Sequence, residues 1–141
     1  MESIHFEKDI VVMYVAASSF PAGVEAAHNE LHAIVPPVEG RKFYGFSRPE
    51  NGGIGYKAAA EEMVAGEAFG LQLDTLLLKK GNYIGIRIDA FMEQIPAVKT
   101  AFEKLLHNPD IDPEGYCVEW YMNNYKDMLC MVRLKDALVT Y

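Results

Sequence analysis

Glu119 and Tyr121 are a carboxylate and a phenol two residues apart in an apolar run, residues 116–122, which has the length and composition of a β-strand. Side chains alternate faces along a strand, so Cys117, Glu119 and Tyr121 share one face and Tyr116, Val118, Trp120 and Met122 the other. The second set is uniformly bulky and apolar, which assigns it to a helix-covered core. Glu119 and Tyr121 are then expected on the open side of the sheet, facing a cleft. A carboxylate walled by aromatic rings attracts an organic cation, because little water is present to screen the charge. Each aromatic face adds about 0.5–2 kcal/mol of cation–π attraction. Burial raises the pKa of such a carboxyl, and a bound cation lowers it again. Candidate walls are Tyr44, Phe46, Tyr56, Tyr83 and Trp120. The same pair fits hydrolysis, with Glu119 as general base and Tyr121 as orienting donor. A purely structural role stands beside both: Glu119 paired with Arg133 or Arg87 on a neighbouring strand, worth about 0.2–1 kcal/mol.

Other constellations are weaker. His28 and His32 are four apart, a spacing that can chelate a metal, but no third ligand is evident and no metal site is assigned. Five methionines (13, 63, 122, 128 and 131) fit core filling better than an adaptable binding surface. Cys117, on the presumed cleft face, reads as a buried thiol. Gly52-Gly53-Ile54-Gly55 leads into a strand rather than a helix, so it is not a phosphate loop, and no cofactor is implied.

Composition narrows the function class. The 141-residue chain carries 13 Lys and Arg against 20 Asp and Glu, a formal net charge of −7. Direct binding to nucleic acid needs clustered basic residues and is not expected. Two cysteines make no disulfide scaffold. Residues 1–8 lack the apolar stretch of a signal peptide, and no run is long enough to span a bilayer. The expectation is a cytoplasmic protein with no membrane partner.

The elements that must position these residues repeat. A β-branched run at 10–17 precedes a helix start at Ser18, Ser19 and Pro21. Val24, Ala27, Leu31 and Ile34 follow at helical spacing until Pro36-Pro37. Strands are expected at 41–47 and 54–63 around turn residues 49–53. After a connecting extended segment at 70–79 the order recurs: a strand at 83–89, a helical stripe of Ile95, Val98, Phe102 and Leu105 ended by Asn108-Pro109, and strands at 116–122 and 128–134 around a turn at 123–127. Phe20-Pro21-Ala22 echoes Ile95-Pro96-Ala97, and Val24, Ala27 and Leu31 echo Val98, Ala101 and Leu105. The expectation is one α+β domain over 1–141, built from tandem βαββ modules at about 6–66 and 70–136. They form a pseudo-two-fold, largely antiparallel eight-stranded sheet with two main helices on one face and a ligand cleft between the halves.

Tyr44-Gly45, the turn, and Tyr56-Lys57-Ala58 resemble the first-half signature of GyrI-like, AraC-type effector-binding domains. Lys80-Gly81-Asn82-Tyr83 resembles the family's entry to its second repeat, and Glu119-Trp120-Tyr121 its Glu-x-Tyr strand. The resemblance spans residues 6–135. It implies a duplicated βαββ fold whose cleft takes amphipathic or cationic drug-like molecules on an acidic residue ringed by aromatics. Such domains occur fused to DNA-binding modules, or alone and integron-borne; some relatives hydrolyse strained electrophiles, and the namesake binds DNA gyrase. This chain has no helix-turn-helix segment, so the expectation is a stand-alone sensor or sequestering protein for a small hydrophobic or cationic ligand. A hydrolase and a protein that binds a protein partner are the alternatives.

Overall fold

A computed structural model describes residues 1–136; residues 137–141, which the single-domain reading includes, lie outside them. Eight strands form one antiparallel sheet: β1 (Glu2–Phe6), β2 (Ile10–Ala16), β3 (Phe43–Glu50), β4 (Gly53–Glu61), β5 (Asp74–Leu78), β6 (Gly81–Ile88), β7 (Cys117–Met122) and β8 (Asp127–Arg133). Three helices accompany them: α1 (Val24–Ile34), the short α2 (Glu67–Leu71) and α3 (Ile95–Leu105). The strand order β1-β6-β8-β7-β3-β4-β2-β5 makes the duplication explicit. β2-α1-β3-β4 and β6-α3-β7-β8 are equivalent modules, and β3 pairs with β7 at the junction. The other two strands sit at the edges and are exchanged: β1 pairs with β6 of the second module, and β5 with β2 of the first.

Local chemistry places these elements. The β3–β4 hairpin turns on Asn51-Gly52, both with positive φ (49° and 80°). A two-residue type I′ turn demands that geometry, and Asn-Gly adopts it readily. β3 therefore runs three residues further than expected, through Pro49. Helix α1 begins at Val24, later than the Ser18 signal, because residues 18–23 form a tight turn first. A Cβ on Gly23 would lie 2.8 Å from the carbonyl oxygen of Ser19. The segment read as a connecting stretch at 70–79 contains the end of α2 and strand β5.

Both faces of the sheet are apolar, which is the main departure from expectation. α1 packs Ala27 and Leu31 against Met13, Val15, Ala58 and Ala60; α3 packs Ala101 and Leu105 against Ile88, Met128, Cys130 and Val132. The opposite face gathers Val12, Tyr44, Phe46, Tyr83, Val118, Leu129 and Met131, and none of the described helices lies upon it. Ile4 and Phe6 from one sheet edge pack into that same cluster with Ile10, Leu76 and Leu78 from the other. The sheet therefore curls into a half-barrel and buries its concave face against itself. Chain connectivity requires the curl: only residues 7–9 link β1 to β2, and only Lys79-Lys80 link β5 to β6, although each link joins opposite ends of the strand order.

Candidate functional site

Helix α1 rests on β2 and β4, and α3 on β6 and β8. The central strands β3 and β7 are left between the helices. Along this strip Ser47, Cys117, Glu119 and Tyr121 remain only half-buried, forming the floor of a groove on the pseudo-two-fold seam. The register puts Glu119 directly opposite Gly45. A Cβ on Gly45 would strike the Tyr56 hydroxyl and stand 2.5 Å from Glu119 Oε1, so only glycine lets the acid lie across the strand. This is a physical reason for the Tyr44-Gly45 pair.

Glu119 Oε1 accepts two short hydrogen bonds, from the hydroxyls of Tyr56 and Tyr121, both at 2.6 Å. The two hydroxyls are 3.0 Å apart. His28 on α1 reaches down with Nε2 2.8 Å from the Tyr56 hydroxyl. Tyr125, from the β7–β8 turn, stacks on Tyr121 with centroids 4.5 Å apart, and its hydroxyl lies 2.9 Å from His32 Nε2 and 3.3 Å from His28 Nδ1. Phe20 stacks on Tyr56 from the groove mouth, and Phe91 leans on Tyr121.

Electrostatics follow from this setting. Burial pushes the Glu119 carboxyl above the usual carboxylate range, opposed by the hydrogen bonds from Tyr121 and Tyr56, which favour the ionised form. Among the described residues no cation offsets it: Arg133 is engaged with Asp112 and Asp136, and Arg87 with Glu2, so the structural pairing considered for Glu119 is not formed. Burial, then the nearby His32, lowers His28 to about 4 and keeps it neutral near pH 7. Burial and the proximity of Glu119 push the Cys117 thiol up to about 11, leaving it unreactive.

Of the seven residues singled out in the sequence, the structure joins Glu119, Tyr121 and Tyr56 at one point. Tyr44, Phe46, Tyr83 and Trp120 lie across the sheet, in the concave cluster. Parity explains it: Gly45 faces Glu119, so Tyr44 and Phe46 must point the other way, and Trp120 must oppose Glu119 on its own strand. The expected alternation along 116–122 holds, but the faces are covered the other way round: α1 and α3 flank the Glu119 face, and the bulky set faces the concave core, on which no described helix lies. The concave rings meet cations of this chain, with Arg48 4.3 Å from the Tyr116 ring centroid and Lys42 5.4 Å from that of Trp120. A hollow of about 50 Å³ between Phe46, Tyr83, Tyr116 and Val118 belongs to the concave side, and Glu119 does not line it.

Sequence reasoning missed Gly45, Tyr125, Phe20 and Phe91, and weighed His28 and His32 only as metal ligands. Their i, i+4 spacing was the available signal. Their hydroxyl partners come from 28 and 93 residues away, and no local pattern reveals those.

No protein-family model matches the chain, and no curated protein does. Solved structures resemble it in fold. One is an integron cassette protein from the mobile metagenome of Vibrio cholerae, with TM-score 0.64, 10% identity and coverage of 95% of each chain. Another is a hydrolase from Listeria innocua, with TM-score 0.50, 11% identity and coverage of 94% of this chain and 89% of that one. At these identities the likeness is one of fold.

Proposed function

We propose that the protein binds an amphipathic organic cation in the groove between α1 and α3, setting the positive charge against Glu119 and the apolar body against Phe20, Tyr56, Phe91 and Tyr121. The observation that carries this reading is a deep carboxyl whose hydrogen-bond partners, among the described residues, are neutral hydroxyls alone. Anions taken out of water are ordinarily paired. The two hydroxyls orient this one and partly stabilise it, and its counter-charge is left for a ligand to bring. The net charge of −7 favours approach of cations. We read the chain as a GyrI-like effector-binding domain acting as a cytoplasmic sensor or sequestering protein. Supporting this, Gly45 and Tyr56 from the first-half signature of the resemblance and the Glu119–Tyr121 pair from its second half meet at one site.

A second reading is hydrolysis, with Glu119 as base toward water and Tyr121 positioning the substrate. The paired hydroxyl donors on the carboxylate favour it, and the fold likeness to a protein described as a hydrolase is compatible with it.

Calorimetric titration with tetraphenylphosphonium and with tetraphenylborate, its counterpart of like shape and opposite charge, tests the binding reading. At pH 8 the cation is expected to bind with Kd on the order of micromolar, about −8 kcal/mol, and the anion not at all. Glu119→Gln is expected to weaken the cation at least thirtyfold, a loss of about 2 kcal/mol or more. Equal affinity in both proteins would remove Glu119 from the role.

A further inference from the structure

From Glu119 a single file of hydrogen bonds runs to the surface: Tyr56 hydroxyl at 2.6 Å, His28 Nε2 at 2.8 Å from it, then His28 Nδ1 to the Tyr125 hydroxyl at 3.3 Å, and that hydroxyl to His32 Nε2 at 2.9 Å. His28 is buried and His32 exposed, so the file crosses from the floor of the groove to solvent. Within the file each intermediate group carries one proton between two neighbours, Tyr56 lying in addition 3.0 Å from the Tyr121 hydroxyl at the side, so the donors along the file can all point inward or all point outward. With Glu119 ionised they point inward: His32 donates to Tyr125, Tyr125 to His28 Nδ1, His28 Nε2 to Tyr56, and Tyr56 to the carboxylate. With Glu119 protonated every bond reverses.

We propose that this file is a proton relay, through which capture of a cation at Glu119 expels the carboxyl proton to solvent at His32. The coupling to a cation rests on the binding reading above; the relay itself requires only that Glu119 titrates. Proton balance is complete. The Glu119 O–H bond breaks as one forms on Tyr56, and the former Tyr56 proton passes to His28 Nε2. The His28 Nδ1 proton passes to Tyr125, the former Tyr125 proton to His32 Nε2, and His32 sheds its Nδ1 proton to water. One proton leaves the protein, and His28 has exchanged tautomers.

The groups around the file suit it. Glu119 faces Tyr56 from β4, Tyr121 and Cys117 from β7 and Cys130 from β8; all four are neutral near pH 7 because burial raises each of them. His28 faces Tyr56, Tyr121 and Tyr125 and, along its own helix, His32. His32 faces Tyr125 and Phe43. The depressed basicity of His28 prevents it from trapping the proton as an imidazolium, so transfer goes by tautomer exchange.

The test begins without ligand. ¹⁵N spectra of the imidazoles across the Glu119 titration should show His28 protonated at Nδ1 below the midpoint and at Nε2 above it. One tautomer throughout would overturn the relay. In stopped-flow mixing with tetraphenylphosphonium and a pH-indicating dye, at a pH below the Glu119 midpoint found in that titration, wild type should release a proton on binding the cation. Tyr125→Phe keeps the ring on Tyr121 but removes the hydroxyl. At saturating cation it should release its proton at least tenfold more slowly, whereas an unchanged rate would overturn the relay. A cation that fails to bind defeats the function reading and leaves the tautomer result to decide the relay.

Discussion

At Glu119 and His28 burial acts on an acid and a base in opposite senses, and stability should report both. The folded pKa of Glu119 is raised, so its contribution is fully present below the ordinary carboxyl pKa and is lost as pH rises through the folded value. Glu119→Gln should therefore gain stability relative to wild type at pH 8 and little at pH 4. The folded pKa of His28 is lowered to about 4, so its contribution is present above about 6.5 and is lost as pH falls from there toward 4. Urea unfolding of His28→Gln against wild type should show this slope reduced in the variant, the full effect in wild type being on the order of 3 kcal/mol. An identical slope in both would mean that His28 does not titrate as its burial dictates. Glu119 and Tyr121 were legible because both lie on one alternating strand. The histidine half of the network was not, because its partners arrive through long-range register and through the β7–β8 turn.

Among the elements, the β3–β7 pair carries the site, and Gly45 is its narrowest point. Gly45→Ala should force Tyr56 and Glu119 apart, costing about 1–3 kcal/mol of stability, as overpacking does, and weakening tetraphenylphosphonium binding together with it. Gly53→Ala, with open space around the new carbon, is the control and should be close to neutral. Thermal unfolding of both variants beside a binding titration checks this; a Gly45→Ala protein that binds normally would show that the close approach is unimportant. The strands themselves were readable from β-branched runs and turn residues. What could not be read was which face the helices would cover, because both faces of β7 present large side chains and only the pairing of β3 with β7 decides between them. Tyr125 escaped for a related reason: it lies in a turn whose residues Asn123, Asn124 and Tyr125 all have positive φ, and the turn directs its ring back over Tyr121.

For the whole molecule, the duplicated order of elements was plain in the sequence, and the exchange of edge strands was not. β1 reads as a polar N-terminus, with only Ile4 and Phe6 alternating inward, yet it closes the sheet beside β6. Each module thus completes the other's edge, and the concave core draws on both. The halves are expected to unfold together: far-ultraviolet circular dichroism and the fluorescence of Trp120, the single tryptophan and part of the second module, should give coincident urea transitions. A Trp120 transition separate from the loss of secondary structure would contradict this. Among the described residues no helix is long and apolar enough to cross a membrane.

The claim on which the account depends is that Glu119 is a counter-charge held in reserve, and ¹³C spectra of its carboxyl across pH, with and without tetraphenylphosphonium, measure it directly. The account predicts a midpoint above the ordinary glutamate range in the free protein, displaced downward when the cation is present. A midpoint in the ordinary range that the cation does not move would contradict it.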